Sequence, residues 1–328
     1  MIVAVLGTGS IGSRHLEVLG GFAQVQTIAV PIRKERFEEL RSKGIRAARN
    51  LTEAVEQGAR LCIIATDTGR HVSDAVTALQ SSCAVLVEKP LSIDRSGAAE
   101  VCRAATKAGQ GVFVCCVLRF SESLNTFREL LPTLGRLHSV RIECQSYLPD
   151  WRPQRNYRDA FCARPNEGGV LLDLIHEVDY ATWLYGWPSA IYACLRNLGR
   201  LDIQAEETAD LLWETSDGCL VSIALDYLSR PPRRLMTAKG EHGTIQWDGI
   251  SGTVSIEQVG LAVEHVKSSQ TRDDMMSGQA QAFLNAIAGT VDQRLASIED
   301  GIRAAAVCDG ARRSSQTLRR EAVEYGLK

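Results

Sequence analysis

The chain begins with an apolar run, residues 2–6, followed at once by Gly-Thr-Gly-Ser-Ile-Gly and then by a helix-like stretch, residues 13–19. A strand, a tight glycine turn and a helix in this order are typical of a dinucleotide-binding unit. The first glycine makes the turn, the second lets a pyrophosphate approach the backbone, and the third lets helix and strand pack closely. The alternative is a glycine-rich turn in an ordinary α/β unit. The cofactor contacts expected at this turn are Gly7, Gly9, Ser10, Ile11 and Gly12.

The second predicted strand, residues 25–30, ends without the carboxylate that often binds the ribose 2′-hydroxyl of NAD. Val-Pro-Ile stands at this place, and two cations, Arg33 and Lys34, follow directly. Because cations suit a 2′-phosphate, this pattern favours NADP over NAD as the cofactor. The alternative is that both side chains are solvated loop charges and that NAD binds through backbone contacts.

Strands and helices alternate through the first part of the chain. Further strands are predicted at 61–65, 84–87 and 111–117, with a helical stretch before each. This βαβαβαβαβ order is typical of a doubly wound parallel sheet. Loops at the carboxyl ends of such strands line the cofactor crevice, so Thr66 and His71 are candidate cofactor neighbours. A helix-capping role is the alternative for His71.

Glu-Lys-Pro follows the fourth predicted strand and supplies the second cofactor motif. A lysine at a strand end, beside a proline-fixed turn, can reach the nicotinamide ribose and a substrate hydroxyl. Its charge would stabilise an alkoxide that forms as hydride leaves. Without the upstream glycine pattern, a solvated loop lysine would be the default interpretation. We therefore expect Glu88 and Lys89 to contact the cofactor and Lys89 to contact the substrate as well.

Residues 147–166 mix aromatic side chains with arginines and prolines, which is too polar and too interrupted for a core. This composition predicts a loop over a pocket, because ordered loops of this kind often carry function. Arginines there could clamp a carboxylate or phosphate, which fits a nucleotide sugar or an acidic sugar. The alternative is a surface or interface loop. The substrate contacts expected in this segment are Tyr147, Trp151, Arg155, Tyr157 and Arg158.

A helix is predicted from the glycine pair at 168–169 to about residue 185, with Asp173, His176 and Asp179 at steps of three. The pKa of a histidine side chain ordinarily lies near neutrality. A histidine one helical turn from an aspartate therefore suits proton transfer to or from a sugar hydroxyl. These three side chains could also bind zinc. No further histidine or cysteine completes an obvious ligand set, so no metal is expected.

Several motifs together carry a family resemblance that covers nearly the whole chain. They are GTGSIGSRH at 7–15, EKP at 88–90, LRF at 118–120, GGVLLDLIHEVDYATWLYG at 168–186, EETAD at 206–210, ALDYLSRPPRR at 224–234 and KGEHGTIQWD at 239–248. The chain resembles the Gfo/Idh/MocA family of NAD(P)-dependent oxidoreductases, named for glucose-fructose oxidoreductase and inositol dehydrogenase. The middle and last motifs are most similar to members that act in cell-surface sugar and sialic-acid-type pathways.

The resemblance implies two domains. Residues 1–118 would form a Rossmann domain, and residues 119–328 an α+β domain with a large, open, mostly antiparallel sheet. The last helices would pack back on the first domain. Short strands after residue 190, with glycines between them, agree with an antiparallel sheet. A homodimer or homotetramer through one face of that sheet is also implied.

The resemblance further implies catalysis by Lys89 with Asp173 and His176, which would also contact the substrate, and a contact of Arg119 with cofactor and substrate. Two departures stand out. Many members place the aspartate and histidine four residues apart, whereas three separate them here, a spacing that also keeps both on one helix face. Cys-Cys-Val at 115–117 replaces Gly-Tyr-Asn, which would remove a polar substrate or nicotinamide contact.

Composition narrows the remaining possibilities. A net charge of −2 gives no general attraction to nucleic acid. Ten scattered cysteines without a CxxC pair indicate reduced thiols and a cytoplasmic location rather than a disulfide framework. The sequence also lacks a signal-peptide pattern and an apolar run of membrane-spanning length.

The sequence thus predicts an NAD(P)-dependent oxidoreductase that moves a hydride between nicotinamide and a hydroxyl or ketone of a sugar or nucleotide sugar. Lys89 would polarise the oxygen, His176 would take or return the proton, and Asp173 would orient them. One alternative is a non-catalytic NAD(P)-binding regulator, since a fold does not fix a function. Another is a reductase of a non-sugar substrate such as a dihydrodiol or biliverdin.

Overall fold

The computed structural model describes residues 1–326, in which fifteen strands and ten α-helices occur. The strands are β1 (Ile2–Leu6), β2 (Gln26–Val30), β3 (Leu61–Ile64), β4 (Ala84–Val87), β5 (Val112–Val114), β6 (Leu137–Gln145), β7 (Ala190–Arg196), β8 (Thr208–Glu214), β9 (Leu220–Asp226), β10 (Arg233–Gly240), β11 (Gly243–Asp248), β12 (Thr253–Gln258), β13 (Glu264–Lys267), β14 (Ala296–Ser297) and β15 (Glu321–Ala322). The helices are α1 (Ser10–Gly20), α2 (Lys34–Ser42), α3 (Leu51–Glu56), α4 (His71–Gln80), α5 (Arg95–Ala108), α6 (Glu122–Leu130), α7 (Val170–Asp173), α8 (His176–Tyr185), α9 (Arg272–Ile287) and α10 (Ile298–Thr317).

The described chain divides into two units. The first contains residues 1–117 together with 272–305, and the second contains residues 118–271 together with the chain from 306 onward. The first unit therefore includes α9, β14 and the start of α10, which follow the second unit's sheet in the sequence.

Six strands form the sheet of the first unit, in the order β14-β5-β4-β3-β1-β2. Strands β1 to β5 run parallel, and β14 pairs with β5 in the antiparallel direction. All four residues of β3 and of β4 are buried. Strands covered on both faces lose alternation and become continuous apolar runs, which is the pattern in the sequence. The predicted doubly wound Rossmann sheet is confirmed.

Two predicted elements of this unit differ in length from the observed ones. Helix α1 begins at Ser10, inside the glycine motif, rather than at residue 13. Strand β5 ends at Val114 rather than at residue 117, because the Cys116 N–H donates to the Val114 carbonyl and turns the chain. A 3₁₀ turn, Val117–Phe120, follows directly.

Nine strands form the sheet of the second unit, in the order β13-β12-β11-β10-β6-β9-β8-β7-β15. Every neighbouring pair is antiparallel except β6 and β9, which run parallel. The predicted large, mostly antiparallel sheet is confirmed. Along β9 the side chains alternate, with Val221, Ile223 and Leu225 buried. Helices α7 and α8 contact this strand, so the helices cover one face of the sheet.

The single helix predicted between 169 and 185 is wrong, because the chain breaks between α7 and α8. Leu174 has φ −97° and ψ 31°, and the Glu177 N–H bonds the Leu174 carbonyl three residues back instead of four. Leu174 and Ile175 are both buried. Neither glycine nor proline marks the break, so the local sequence carried no signal for it.

No helix within residues 1–326 combines the length and the apolar character that a membrane span requires. All ten cysteines are free thiols.

Candidate active site

The glycine turn of the first unit has the geometry that a dinucleotide phosphate needs. Gly7 has φ +91°, and a Cβ there would lie 2.4 Å from the Ala65 carbonyl oxygen. A Cβ on Gly12 would lie 1.9 Å from the Gly7 carbonyl oxygen. A Cβ on Gly9 would meet nothing within 4 Å. The turn is therefore closed on its inner side at Gly7 and Gly12 and open at Gly9, where the first N–H groups of α1 have no side-chain cap.

Three cations, rather than the two predicted, lie just after β2. Arg33 and Lys34 are exposed, and Arg33 is the N-cap residue of α2. The missed residue, Arg36, donates to Ser13 Oγ of α1 at 3.3 Å and pairs with Glu39 at 2.6 Å. The signal for Arg36 was its place in the Arg-Lys-Glu-Arg run, one helical turn after Arg33.

Thr66 and His71 both make internal contacts at the end of β3. Thr66 Oγ1 donates to Asp74 Oδ2 at 2.8 Å. The buried His71 ring lies between two carbonyl oxygens, with Nδ1 2.7 Å from Pro90 O and Nε2 3.1 Å from Thr66 O. Burial lowers the pKa of His71 despite these two acceptors. The His71 ring thus joins the end of β3 to the turn that carries Lys89, and Arg70 rather than His71 is the N-cap residue of α4.

Glu88 and Lys89 follow β4 at the same edge of the sheet. Glu88 Oε1 accepts a hydrogen bond of 2.8 Å from Nε2 of the buried His15 on α1. Burial would raise the pKa of Glu88, but the bond to His15 and the charges of His15 and Lys89 outweigh it and lower that pKa. Lys89 itself is half-buried.

His15, Glu88 and Cys115 are a group of metal-type donors in the described residues, with their ligand atoms within 4.8 Å of one another. His15 and Glu88 already satisfy each other through their hydrogen bond. Burial, followed by the negative charge of Glu88, raises the pKa of Cys115, so its thiol keeps its proton. We therefore assign this group to the structural support of Glu88 and propose no metal there.

In the second unit, the glycine pair before α7 allows a close approach of Glu206. A Cβ on Gly169, whose φ is +88°, would lie 2.1 Å from Glu206 Oε1. The same oxygen accepts the Leu171 N–H at 3.2 Å, so Glu206 satisfies a first-turn donor of α7. Burial raises the pKa of Glu206. Only glycine fits this position, which fixes the start of the helix that carries Asp173.

Asp173 and His176 stand on either side of the break, as the last residue of α7 and the first of α8. Both are half-buried. Asp173 Oδ2 accepts a hydrogen bond of 3.1 Å from the hydroxyl of Tyr227, a residue that we did not predict from the sequence. Asp179, the third member of the predicted series, has a different partner.

That partner is Arg119. Its guanidinium donates to Asp179 through Nε at 3.1 Å and through Nη2 at 2.6 Å. The two side chains are only 2% and 4% exposed. This buried pair gives Arg119 a role inside the second unit and places Asp179 outside any set of metal ligands. We leave both out of the site proposed below.

The predicted substrate segment divides into two groups. Trp151 packs edge-to-face on Tyr227, and Tyr147 lies under the Arg230 guanidinium, 3.6 Å from its ring centroid. The other three residues lie further along the segment. Arg155 is exposed, the Tyr157 hydroxyl donates to Leu201 O at 3.0 Å, and Arg158 pairs with Asp202 at 3.3 Å.

Comparison with known proteins identifies the family. Residues 1–115 match the model of the oxidoreductase family with an NAD-binding Rossmann fold, and residues 128–246 match the GFO/IDH/MocA C-terminal domain. The chain belongs to the GFO/IDH/MocA family. The resemblance predicted from the motifs is confirmed.

Relatives within the GFO/IDH/MocA family include myo-inositol 2-dehydrogenase of Thermotoga maritima, 25% identical over 193 residues. That match covers 57% of this chain and 55% of the relative, so it spans about half of that protein's length. The WlbA dehydrogenase of Bordetella pertussis, solved with NADH and UDP-GlcNAcA, has a TM-score of 0.84 at 19% identity and covers 99% of this chain and 98% of that one. Levoglucosan dehydrogenase, solved with NADH and levoglucosan, has a TM-score of 0.87 at 16% identity and covers 98% of this chain and 99% of that one.

Proposed function

We propose that this chain is an NAD(P)-dependent dehydrogenase or reductase that moves a hydride between nicotinamide and a CH–OH or ketone carbon of a sugar or nucleotide sugar. The observation that carries the proposal is the glycine turn, which is closed at Gly7 and Gly12 and open at Gly9. The open backbone and the start of α1 would hold the pyrophosphate. When bound, the nicotinamide supplies the hydride chemistry, and the protein supplies orientation and charge.

Three side chains would act on the substrate oxygen. The Lys89 ammonium would stabilise the negative charge on that oxygen as the hydride leaves or joins the carbon bonded to it. The His176 imidazole would take the hydroxyl proton during oxidation and return it during reduction. Asp173 would orient the substrate hydroxyl or the imidazole. All three are half-buried, which suits groups that must be both oriented and accessible.

We further propose that the substrate carries negative charge, as an acidic sugar or a nucleotide sugar does. Arg152 and Arg155 are exposed within the segment that also presents Trp151 and Tyr147. Arginine binds carboxylates and phosphates in a two-pronged geometry. UDP-GlcNAcA, the compound bound in the solved WlbA structure, carries both kinds of group.

For the cofactor, we propose a preference for NADP. Arg33 and Lys34 are exposed just after β2, and Arg36, one helical turn after Arg33, donates to Ser13 Oγ of α1. The solved relatives named above hold NADH, so binding of both cofactors must be compared directly.

A second copy of the chain would cover the open face of the nine-stranded sheet. One row of residues paired in register crosses β7, β8, β9 and β6, and it consists of Tyr192, Leu212, Ser222 and Arg141. Tyr192 is 51% exposed on this face. Light scattering after gel filtration tests the proposal. A dimer or tetramer that Tyr192→Arg dissociates is expected, and a monomer at all concentrations would refute it.

The activity is tested by calorimetric binding of NADH and NADPH, followed by a turnover screen with nucleotide sugars and free acidic sugars. Lys89→Ala is expected to lower kcat by about 100-fold or more while leaving cofactor affinity nearly unchanged. Lys107→Ala, on the exposed side of α5, is the matched control. Equal activity of wild type and Lys89→Ala would refute the role of Lys89. Cofactor binding without turnover of any substrate would favour the regulatory alternative.

A further inference from the structure

Tyr227 lies directly after β9 and is completely buried. Its hydroxyl donates a hydrogen bond of 3.1 Å to Asp173 Oδ2. Burial, followed by the negative charge of Asp173, raises the pKa of the Tyr227 phenol well above its usual range. The phenol therefore keeps its proton, and the direction of the bond is fixed from Tyr227 to Asp173.

The backbone of Tyr227 is held on both sides. Its N–H donates to the Glu207 carbonyl at 3.0 Å, and its carbonyl accepts the Leu148 N–H at 2.9 Å. Asp226 Oδ1 accepts the Leu228 N–H at 2.8 Å, which tightens the turn that follows the strand. The end of the sheet, rather than a loose loop, thus determines where the Tyr227 hydroxyl lies.

The Tyr227 ring also supports the segment 146–151. The Trp151 ring meets it edge-to-face, with 5.6 Å between centroids and an angle of 84°. Trp151 is 39% exposed, and its Nε1 donates to Ser146 Oγ at 2.9 Å. One buried residue therefore contacts both a partly exposed aromatic side chain of the substrate segment and the Asp173 carboxylate.

We infer that Tyr227 is a positioning residue, whose hydroxyl holds the Asp173 carboxylate in the orientation that hydride transfer requires while its ring and carbonyl hold the segment 146–151 in place. The inference rests on the proposed function, because it treats Asp173 as a site residue. Fixing Oδ2 also fixes the plane in which the second carboxylate oxygen can accept a hydrogen bond. Loss of this bond removes one of the contacts that orient the carboxylate, and misplaced groups slow a reaction more than they weaken binding.

Tyr227→Phe tests the inference, because phenylalanine keeps the ring under Trp151 and the backbone bonds and removes only the hydroxyl. Tyr185→Phe is the matched control, since the Tyr185 hydroxyl bonds only loosely to Met236 Sδ at 3.5 Å in the same unit. We expect Tyr227→Phe to lower kcat about tenfold, the effect of losing one hydrogen bond to a charged group, and to change KM less than about twofold. The primary deuterium isotope effect on kcat should rise, because hydride transfer becomes more rate-limiting.

A kcat equal to that of Tyr185→Phe would overturn the inference. The inference would also be overturned if Tyr227→Phe lost activity only in proportion to a lower thermal midpoint and left the isotope effect unchanged. That result would indicate a merely structural role for Tyr227. Crystal structures of wild type and Tyr227→Phe give a readout without turnover. The Asp173 carboxylate is expected to rotate or to gain a water in the variant, and an unchanged, unhydrated carboxylate would overturn the inference. If wild type turns over no substrate, the proposed function fails, and the crystal structures alone decide the role of Tyr227.

Discussion

Replacing Arg119 by methionine should destabilise the second unit strongly and leave ligand binding intact. The substitution removes the guanidinium that bonds Asp179 at 2.6 and 3.1 Å, and it leaves a carboxylate that is only 4% exposed. Breaking a buried ion pair by removing one partner costs about 3–5 kcal/mol, mostly because the remaining charge stays desolvated. At about 2–4 °C per kcal/mol for a unit of this size, the thermal midpoint should fall by about 6–20 °C.

The assay is thermal and urea unfolding followed by circular dichroism and tryptophan fluorescence, with cofactor affinity measured well below the midpoint. Arg128→Met is the matched control, because Arg128 is exposed and packs over the same Trp183 ring at 4.6 Å. The double variant Arg119→Met/Asp179→Leu removes both charges and should recover most of the lost stability. An unchanged midpoint in Arg119→Met, combined with cofactor or substrate binding at least about tenfold weaker, would refute this reasoning and restore Arg119 as a ligand contact.

Three further predictions concern the first unit. Gly12→Ala places a Cβ 1.9 Å from the Gly7 carbonyl oxygen and should lower the free energy of unfolding by about 1–3 kcal/mol. Gly9→Ala should keep the wild-type thermal midpoint and lose only cofactor affinity, because a Cβ there meets nothing within 4 Å. Equal thermal midpoints for the two variants would contradict the turn geometry. Arg33→Ala should weaken binding of NADPH and spare NADH, and calorimetry that finds equal losses, or none, would exclude the 2′-phosphate contact. Because its pKa is lowered, folded His71 stays neutral while unfolded His71 gains a proton below about pH 6.5, so stability should fall as pH drops below that value. His71→Gln should flatten this dependence in urea midpoints, and an unchanged slope would assign it to other groups.

The parts that the sequence predicted depend on neighbouring residues. The turn between β1 and α1 needs glycine where a Cβ would strike backbone, as at Gly7 and Gly12, so the pattern can be read from six residues. Burial along a strand likewise indicates how many of its faces are covered. Strands β3 and β4 are continuous buried runs and are covered on both faces, whereas the alternation along β9 indicates one covered face. These signals predicted both sheets.

The parts that the sequence did not predict join distant residues. One example is the parallel pairing of β6 with β9. Two others are the bond of Tyr227 to Asp173, 54 residues apart, and the bond of Arg119 to Asp179, 60 residues apart. Contacts at this distance along the chain leave no local pattern in the sequence. Asp173 and Asp179 looked equivalent in a series at steps of three. Burial and partner choice separated them, because Asp179 pairs with Arg119 and Asp173 accepts from Tyr227.

By itself, the sequence determined the dinucleotide-binding unit, the alternation of its parallel strands with helices, the alternating strands of the second sheet and the family. Only the tertiary structure decided which of the last residues, 272–305, join the first unit, that the chain breaks at Leu174, and that Asp179 is held by Arg119 in a buried ion pair. The physical reason is the distance along the chain over which each effect acts. Backbone sterics and apolar periodicity act within a few residues, whereas desolvation forces each buried polar group to find whichever partner the fold brings near it.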